Sequence, residues 1–481
     1  MSLADINQLY AEEHAAIMAE QKRDGGGVVE IPTFRPLTEL GNAERFAAQH
    51  GGDVRYCFDW RAWLVYDGVR WKRDAGAAVR GLAKETVRSI YSEAGRYPSE
   101  AQRAAAANWA KRSESAAAIE AMLRLAQSET GIPVTPNELD GNRWLLNVSN
   151  GTVDLRTGEL QPHRRENLIS KLAPVAFDAS ATCPRWQQFL SEVFAPHPDV
   201  IPFIQRAAGY SLTGDTREEC LFLLHGTGRN GKGTLLRTLT LKLGDYAGTA
   251  DFSAFVQRRE DTGPRDDIAN MRGKHLVSAQ ESREGAPLAE SLLKWLTGGD
   301  MIRARKLYEN STEFNPTWKI WLATNHRPVI RGTDPAIWSR IKLVPFAVSF
   351  EGREDRTLKA VLLDELPGIL NWAIEGCISW QSEGLGFPES VLVATSEYKN
   401  ESDLLARFLD ESCIVGDFAS AKGRGLYDAY RQWATGSGED PVTEVAFGRH
   451  MTEHGFVKRK TNSGVIWGGI GLRSVTWPSP E

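Results

Sequence analysis

The sequence predicts an α/β chain in three parts. A central parallel sheet flanked by helices is preceded by an α+β region and followed by a small module of helices and a two-stranded wing. Three observations predict it. The apolar run Leu221 to Leu224 breaks at a glycine-rich stretch, Gly226 to Thr234, and apolar residues resume at helical spacing as Leu235, Leu236 and Leu239, the pattern of strand, loop and helix. Two later apolar segments, HLVSAQ and IWLAT, end in polar residues, Glu281 and Asn325, as strands of a parallel sheet do at their ligand-binding carboxyl ends. FDWRAWLVYDGVRW alternates around Asp67-Gly68, and glycine-flanked GVIWGGIGLR follows VKRK, so strands are expected in both outer regions.

Taken in order, residues 1–55 read as a mixed-charge helix, a break at Gly25-Gly26-Gly27 and a connecting arm through Pro32 and Pro36. Residues 56–183 read as an α+β domain: the aromatic hairpin, an alanine-rich helical block including 101–128, and strands around Asn150-Gly151 with a turn at Thr157-Gly158. Trp60, Trp63 and Trp71 could stack on bases, although alternating aromatics in a hairpin more commonly form core. Residues 184–390 carry the central sheet, entered through a helical pattern at Pro184–Gly209 and closed by one at Leu358–Gln381. Residues 391–481 show helical patterns at Val391–Leu409, Gly425–Trp433 and Thr443–Gly455 before the strands of the wing, with Arg449, Lys458, Arg459 and Lys460 basic nearby. That order reads as winged-helix-like, serving either DNA contact or a structural cap.

With 481 residues the chain is too long for one core, and 42% hydrophobic with 25% charged residues is an ordinary globular composition. A net charge of -5 gives no global attraction to nucleic acid, so any grip on DNA must be local. The five cysteines, at 57, 183, 220, 377 and 413, are odd in number and lack paired metal-ligand spacing, which argues against a disulfide framework or structural zinc. No run of 18 apolar residues and no signal-peptide core occurs, so a cytoplasmic protein without membrane contact is expected.

The glycine loop carries the chemistry. Glycines at 226, 228, 231 and 233 let backbone N–H groups turn inward at a helix N-terminus, an anion cradle formed by Gly226, Thr227, Gly228, Arg229, Asn230, Gly231, Lys232, Gly233 and Thr234. Lys232 would reach the β- and γ-phosphates of ATP. The hydroxyl that would hold Mg²⁺ stands one place later than usual, at Thr234, because Gly233 follows the lysine. Glu281, after a hydrophobic strand, can hold magnesium, polarise the attacking water, or do both. Asn325 can hydrogen-bond a terminal phosphate or that water. Arg340, in WSRIKLVPF, reads as a surface arginine in a monomer and as a neighbour's transition-state stabiliser in a ring. Between Glu281 and Asn325, Met301–Tyr308 and Glu313–Lys319 are expected as a hairpin whose Arg303, Arg305 and Lys306, with Tyr308, suit either a single-strand grip or a solvated charged surface.

The succession LHGTGRNGKGTLL, HLVSAQES, KWLTGGDMIRARKLYENSTEF, IWLATNHRP and WSRIKLVPF resembles the superfamily 3 helicases of phage and plasmid primase-helicases, related to the poxvirus enzyme. The motifs cover about residues 205–350, and a diffuser likeness reaches back to about 56. The resemblance implies an AAA+-like ATPase core, hexameric rings and translocation on single-stranded DNA. It also implies that Lys232, Glu281, Asn325 and Arg340 match the Walker lysine, the Walker acid, the sensor asparagine and the arginine finger. Relatives often carry an N-terminal primase-polymerase domain, for which the roughly 55 residues before the likeness are too few. The expectation is therefore an ATP- and Mg²⁺-dependent replicative helicase of phage or mobile-element origin. It would act on single-stranded and forked DNA, with a separate primase or polymerase as its companion. An initiator or loader that binds DNA without processive unwinding is the alternative, and a phosphate-loop kinase is a third reading.

Overall fold

The structure, a computed structural model, describes residues 34–257, 265–281, 287–304, 312–330, 334–439, 441–461 and 464–473. The chain forms two compact units, Met1–Phe177 and Asp178–Glu481.

In the first unit, helix α1 (Glu39–His50) starts where Thr38 accepts a hydrogen bond from the Gly41 amide. Strands β1 (Val54–Cys57), β2 (Ala62–Tyr66) and β3 (Trp71–Arg73) form an antiparallel sheet in that order. Asp67 turns the chain between β2 and β3 by accepting from the Val69 and Arg70 amides. The alanine-rich stretch is two helices, α3 (Glu100–Ser113) and α4 (Ala116–Ala126), after α2 (Ala78–Ala94). They part because Ser115 caps α4, accepting from the Ala118 amide. A second antiparallel sheet comprises β4 (Leu145–Val148), β5 (Gly151–Asp154) and β6 (Glu159–Gln161). Ala43 and Phe46 of α1 pack into one core with Val79 and Val87 of α2 and Met122 of α4. The arm expected over residues 1–55 therefore needs correction: its last stretch belongs to this core, and a boundary after residue 55 would cut β1.

The second unit opens with α5 (Pro184–Val193) and α6 (Val200–Tyr210), followed by β7 (Leu221–His225), α7 (Lys232–Leu243) and β8 (Ala247–Thr249). Next come the short α8 (Asp266–Ala269), β9 (Leu276–Gln280), α9 (Glu290–Thr297), β10 (Ile302–Ala304), β11 (Thr312–Phe314) and β12 (Lys319–Thr324). Helix α10 (Pro335–Arg340), β13 (Ile341–Pro345), α11 (Leu358–Asp364), α12 (Leu366–Glu383) and α13 (Glu389–Ser402) complete the part built on the central sheet. Five strands form a parallel sheet in the order β13-β7-β12-β9-β8. All six residues of β12 are buried, as a central strand covered on both faces requires. Helices α6 and α12 touch backbone to backbone: a Cβ on Gly209 would lie 2.1 Å from the Cys377 nitrogen, so that crossing requires glycine.

The remaining elements are α14 (Leu404–Ser412), β14 (Cys413–Lys422), α15 (Gly423–Gly436), α16 (Glu444–Glu453), β15 (Val457–Thr461) and β16 (Gly464–Leu472). Phe408, Leu426, Tyr430, Phe447, Met451 and Trp467 make their core. The single helical pattern expected over 391–409 is two helices, because Asp403 ends α13 and caps α14 by accepting from the Ala406 amide. Part of α13 packs on the central sheet, with Ala394 and Tyr398 in its core, so a boundary at 390/391 falls inside that helix. The wing has a third strand, β14, in an antiparallel sheet of order β14-β16-β15. It escaped the sequence pattern because it is mostly exposed and irregular between Val415 and Ser420. Among the described residues no helix is long and apolar enough to cross a membrane.

Candidate active site

Strand register assembles the site. Thr324 lies beside His225 and Ala323 beside Gln280, so Gly226, Asn325 and Glu281 leave three adjacent strands at the same end of the sheet. Beyond β7 the chain makes the turn the glycines predicted. Gly228 and Gly231 adopt φ of 101° and 91°, and Arg229 between them takes 46°. Two glycines are also required by space. A Cβ on Gly226 would lie 2.3 Å from the Phe346 carbonyl oxygen, and one on Gly231 would lie 2.7 Å from Val193. At Gly233, by contrast, an added Cβ would meet nothing within 4 Å, so the glycine in the usual hydroxyl position is not dictated by packing.

Lys232 is the first residue of α7 and is only 6% exposed. Its ammonium donates to the Gly226 carbonyl oxygen, to Asn230 Oδ1 at 3.1 Å and to Asn325 Oδ1 at 3.1 Å. Burial pushes its pKa down from 10.5 to about 8, against the upward pull of Glu281. Glu281 Oε2 accepts from the Asn325 and His326 amides at 3.1 and 3.2 Å, which ties the ends of β9 and β12 together. Glu281 Oε1 is buried with no hydrogen-bond partner among the described residues. His225, the last residue of β7, is pushed down to about 4 by burial and by the Arg327 and Lys232 cations, so it stands neutral beside the loop.

Lys232, Glu281 and Asn325 line a cleft of about 470 Å³ together with the rest of Gly228 to Thr234, Arg237, Gln280 and Lys359. The donors, turned backbone and buried ammonium suit a polyphosphate. The orphaned carboxylate oxygen of Glu281 and the Thr234 hydroxyl suit a hard, oxygen-seeking cation such as Mg²⁺. Sequence reasoning singled out Lys232, Glu281 and Asn325 separately, and the fold brings them together. It missed Asn230 as a second holder of the ammonium, its Nδ2 also donating to the Phe346 carbonyl at 3.3 Å. It also missed Arg237, which stands three residues after Thr234 and hence on the same helix face.

Arg340 is elsewhere. It precedes β13, whose Ile341 pairs with Leu221 and Pro345 with His225, so it sits at the other end of the sheet, roughly 16 Å from the glycine loop of its own chain. There it donates to Glu219 Oε2 at 2.9 Å and to the Ala336 carbonyl at 3.0 Å. The expected hairpin exists as β10 paired with β11, shorter than predicted. Its second strand stops at Phe314, because Pro316 lacks an amide to continue a ladder, and Lys319 already begins β12. Arg303 is exposed on β10, with Glu313 across at 4.0 Å. Arg305, Lys306 and Tyr308 lie outside the described residues. In the first unit Trp71 is core, 1% exposed, and donates to the Arg165 carbonyl, while Trp63 packs on Phe46 and Tyr56. Trp60 lies under the Arg73 guanidinium.

Comparison with known proteins places this geometry in context. Residues 43–195 match the family described as D5 N terminal like, and residues 224–340 match a family of unknown function, DUF5906. A protein of Acanthamoeba polyphaga mimivirus provisionally named a helicase is 25% identical over 412 residues, covering 77% of this chain and 43% of its own length. A provisionally named helicase of Frog virus 3 is 27% identical, covering 51% of this chain and 27% of its own. A provisionally named primase of African swine fever virus is 24% identical, covering 61% and 34% respectively. The chain thus spans less than half the length of these relatives. Among solved structures, the apo C-terminal region of NrS-1 superposes with a TM-score of 0.47 at 10% identity, covering 90% of this chain and 99% of that one.

Proposed function

From the premise that this chain carries a D5 N-terminal-like domain and has viral relatives named as helicases and primases, consistent with a superfamily 3 primase-helicase, we propose that it is an ATP-dependent DNA helicase. One observation carries the reading: Lys232, at the start of α7, converges with Asn325 and Glu281, at the ends of β12 and β9, on a glycine-lined cleft. Phosphoryl transfer to water needs positioning and charge stabilisation more than covalent chemistry. In this reading Lys232 stabilises charge on the terminal phosphates and Asn325 orients that phosphate or the attacking water. Glu281 polarises the water or holds Mg²⁺ with Thr234; bound there, the metal supplies Lewis-acid neutralisation of phosphate charge.

A hexameric ring gives Arg340 a role, since its distance from the loop of its own chain leaves a neighbour's site as the one it could serve. Arg303 of the β10–β11 hairpin, with Arg305 and Lys306, would grip single-stranded DNA. The α14-to-β16 module, with its helix-strand-helix-helix-strand-strand order, supports a winged-helix reading as an auxiliary DNA or partner module. The first unit would dock a separate primase or polymerase in phage or mobile-element replication.

The test is strand displacement from forked DNA alongside ATP hydrolysis. Release of the labelled strand that requires ATP and Mg²⁺ is expected. Hydrolysis and DNA binding without release would assign the initiator or loader role instead, and phosphate transfer to a small acceptor would assign a kinase.

A further inference from the structure

A pocket in the first unit has no part in the scheme above. Its volume is about 440 Å³, close to that of the glycine-loop cleft and within the roughly 300–1,000 Å³ of small-molecule sites. Arg61, just before β2, and Trp63 on β2 form one part of its lining, and the connection from β3 into α2 forms another. Helix α4 supplies Glu120, Leu123, Arg124 and, just past its end, Gln127. These stand at i, i+3, i+4 and i+7, so one whole face of the helix is turned to the pocket. On the other walls Arg61 and Ala77 hold φ of 48° and 62°, the left-handed region that side chains disfavour. Two such non-glycine residues beside one pocket are the kind of local strain that accompanies ligand clamps.

The charges in the pocket do not balance. Asp74 is spent on the backbone, accepting from the Gly76, Ala78 and Val79 amides at 3.2, 2.9 and 3.0 Å, which closes the start of α2 where Ala77 has no side chain to cap it. Glu120 pairs with Arg80 at 2.8 Å, both well exposed and screened by water. Arg61 and Arg124, also exposed, have no ion pair and no side-chain hydrogen bond among the described residues. On a chain of net charge -5 this surplus of cation is local. Beside it lies an indole: Trp63 meets Phe46 and Tyr56 edge to face and still lines the pocket, as does Leu123.

We propose that this pocket binds a nucleoside phosphate, with Arg61 and Arg124 for the phosphate and Trp63 and Leu123 for the base. A guanidinium fork matches phosphate oxygens, and an indole offers an apolar face on which any base stacks. An anion without a ring would leave Trp63 and Leu123 unused, and a ring without an anion would leave the arginines unused. A free mononucleotide and one nucleotide of single-stranded DNA share this chemistry. The site goes beyond the ATPase reading and does not depend on Lys232.

Fluorescence polarisation of ribose-labelled AMP and of a labelled thymidine decanucleotide on the full chain tests this. AMP is titrated in the Lys232→Ala background, which keeps the glycine-loop cleft out of the measurement. Arg61→Gln with Arg124→Gln alters two exposed side chains, and Arg88→Gln with Arg112→Gln, exposed elsewhere in the same unit, matches its charge. The pocket variant should weaken at least one probe roughly 10-fold, and the charge-matched variant less than about 2-fold. Loss of AMP alone makes a free nucleotide the source. Loss on the decanucleotide, with the log–log salt slope reduced by about 0.7 for one phosphate, makes it a DNA strand. Weakening of neither probe, equal weakening by both variants, or inorganic phosphate that displaces AMP as well as unlabelled AMP does would overturn the inference and leave the ATPase reading standing. A labelled hexaglutamate peptide bound through Arg61 and Arg124, where neither nucleotide probe binds, would overturn it in favour of an acidic protein partner.

Discussion

If the proposed nucleotide reading holds, the pKa of Lys232 should make nucleotide affinity depend on pH in a calculable way. In the nucleotide-free protein the ammonium is buried against three oxygens, and its pKa falls from 10.5 to about 8. Holding the charged form there costs roughly 3 kcal/mol, which an arriving polyphosphate offsets. Below pH 8 the lysine carries its proton and attracts the phosphates; above pH 8 it is neutral until binding drives a proton on. Each further pH unit should then weaken binding about tenfold, giving roughly 30-fold weaker affinity at pH 9.5 than at pH 7. From pH 7 upward the ligand adds little to the slope, because a terminal phosphate with a second pKa near 6 is already about nine-tenths ionised there. A fluorescent ADP analogue titrated without metal from pH 6.5 to 9.5 reads the slope, and calorimetry in two buffers of different ionisation enthalpy reads the proton uptake. Lys232→Met should bind weakly with a flat profile. A flat wild-type profile, or the same slope in the methionine variant, would refute the reasoning.

Other expectations follow from individual side chains. Arg340→Ala should lower ATPase activity roughly 10³-fold, and mixed assemblies should lose more activity than the mutant fraction accounts for; strictly proportional loss would mean that no site is shared. Neutralising Arg303 with Lys306 should weaken single-strand binding and reduce the log–log salt slope by about 0.7 for each phosphate no longer neutralised, with unstimulated ATPase retained. Parallel slopes at equal affinity would move the DNA path to Lys458, Arg459 and Lys460, all exposed on β15. Lys242, in the last turn of α7, is 1% exposed with no hydrogen-bond partner for its amine among the described residues, and burial depresses its pKa to about 7. The unfolded chain therefore binds the extra proton between about pH 7 and 10.5, and wild-type stability should rise with pH across that window. Lys242→Met should stabilise by more than about 1 kcal/mol at pH 6, the gain shrinking towards pH 10 in denaturant melts.

The sequence by itself determined what depends on local chemistry. Glycines at 226, 228 and 231 specified a turn, and two of them indeed take positive φ. Apolar runs ending at Glu281 and Asn325 specified strand ends, and Asp67-Gly68 specified a hairpin turn. The helix count was less legible. A side chain such as Ser115 or Asp403 can be read either as one more polar residue on a helix face or as the cap that starts a new helix, and only the observed hydrogen bonds decide.

The tertiary structure decided what depends on register and on separation in space. Glu281 and Asn325 are 44 positions apart, yet the Asn325 amide meets the Glu281 carboxylate because Ala323 pairs with Gln280 in a parallel ladder. The pairing of β13 with β7 sends Arg340 to the other end of the sheet, which no motif spacing reveals. The pairing of Arg229 with Glu351 and Glu354 spans over 120 positions and arises because β13 lies beside β7, delivering the following strap to the glycine loop. Lysines 232, 242 and 319 look alike in sequence, but the fold surrounds them differently. One lines the glycine-loop cleft, one has no hydrogen-bond partner among the described residues, and one is held by the Thr213 and Asp215 carbonyls. Charge type was written in the chain; the burial and partners that set its chemistry came from packing.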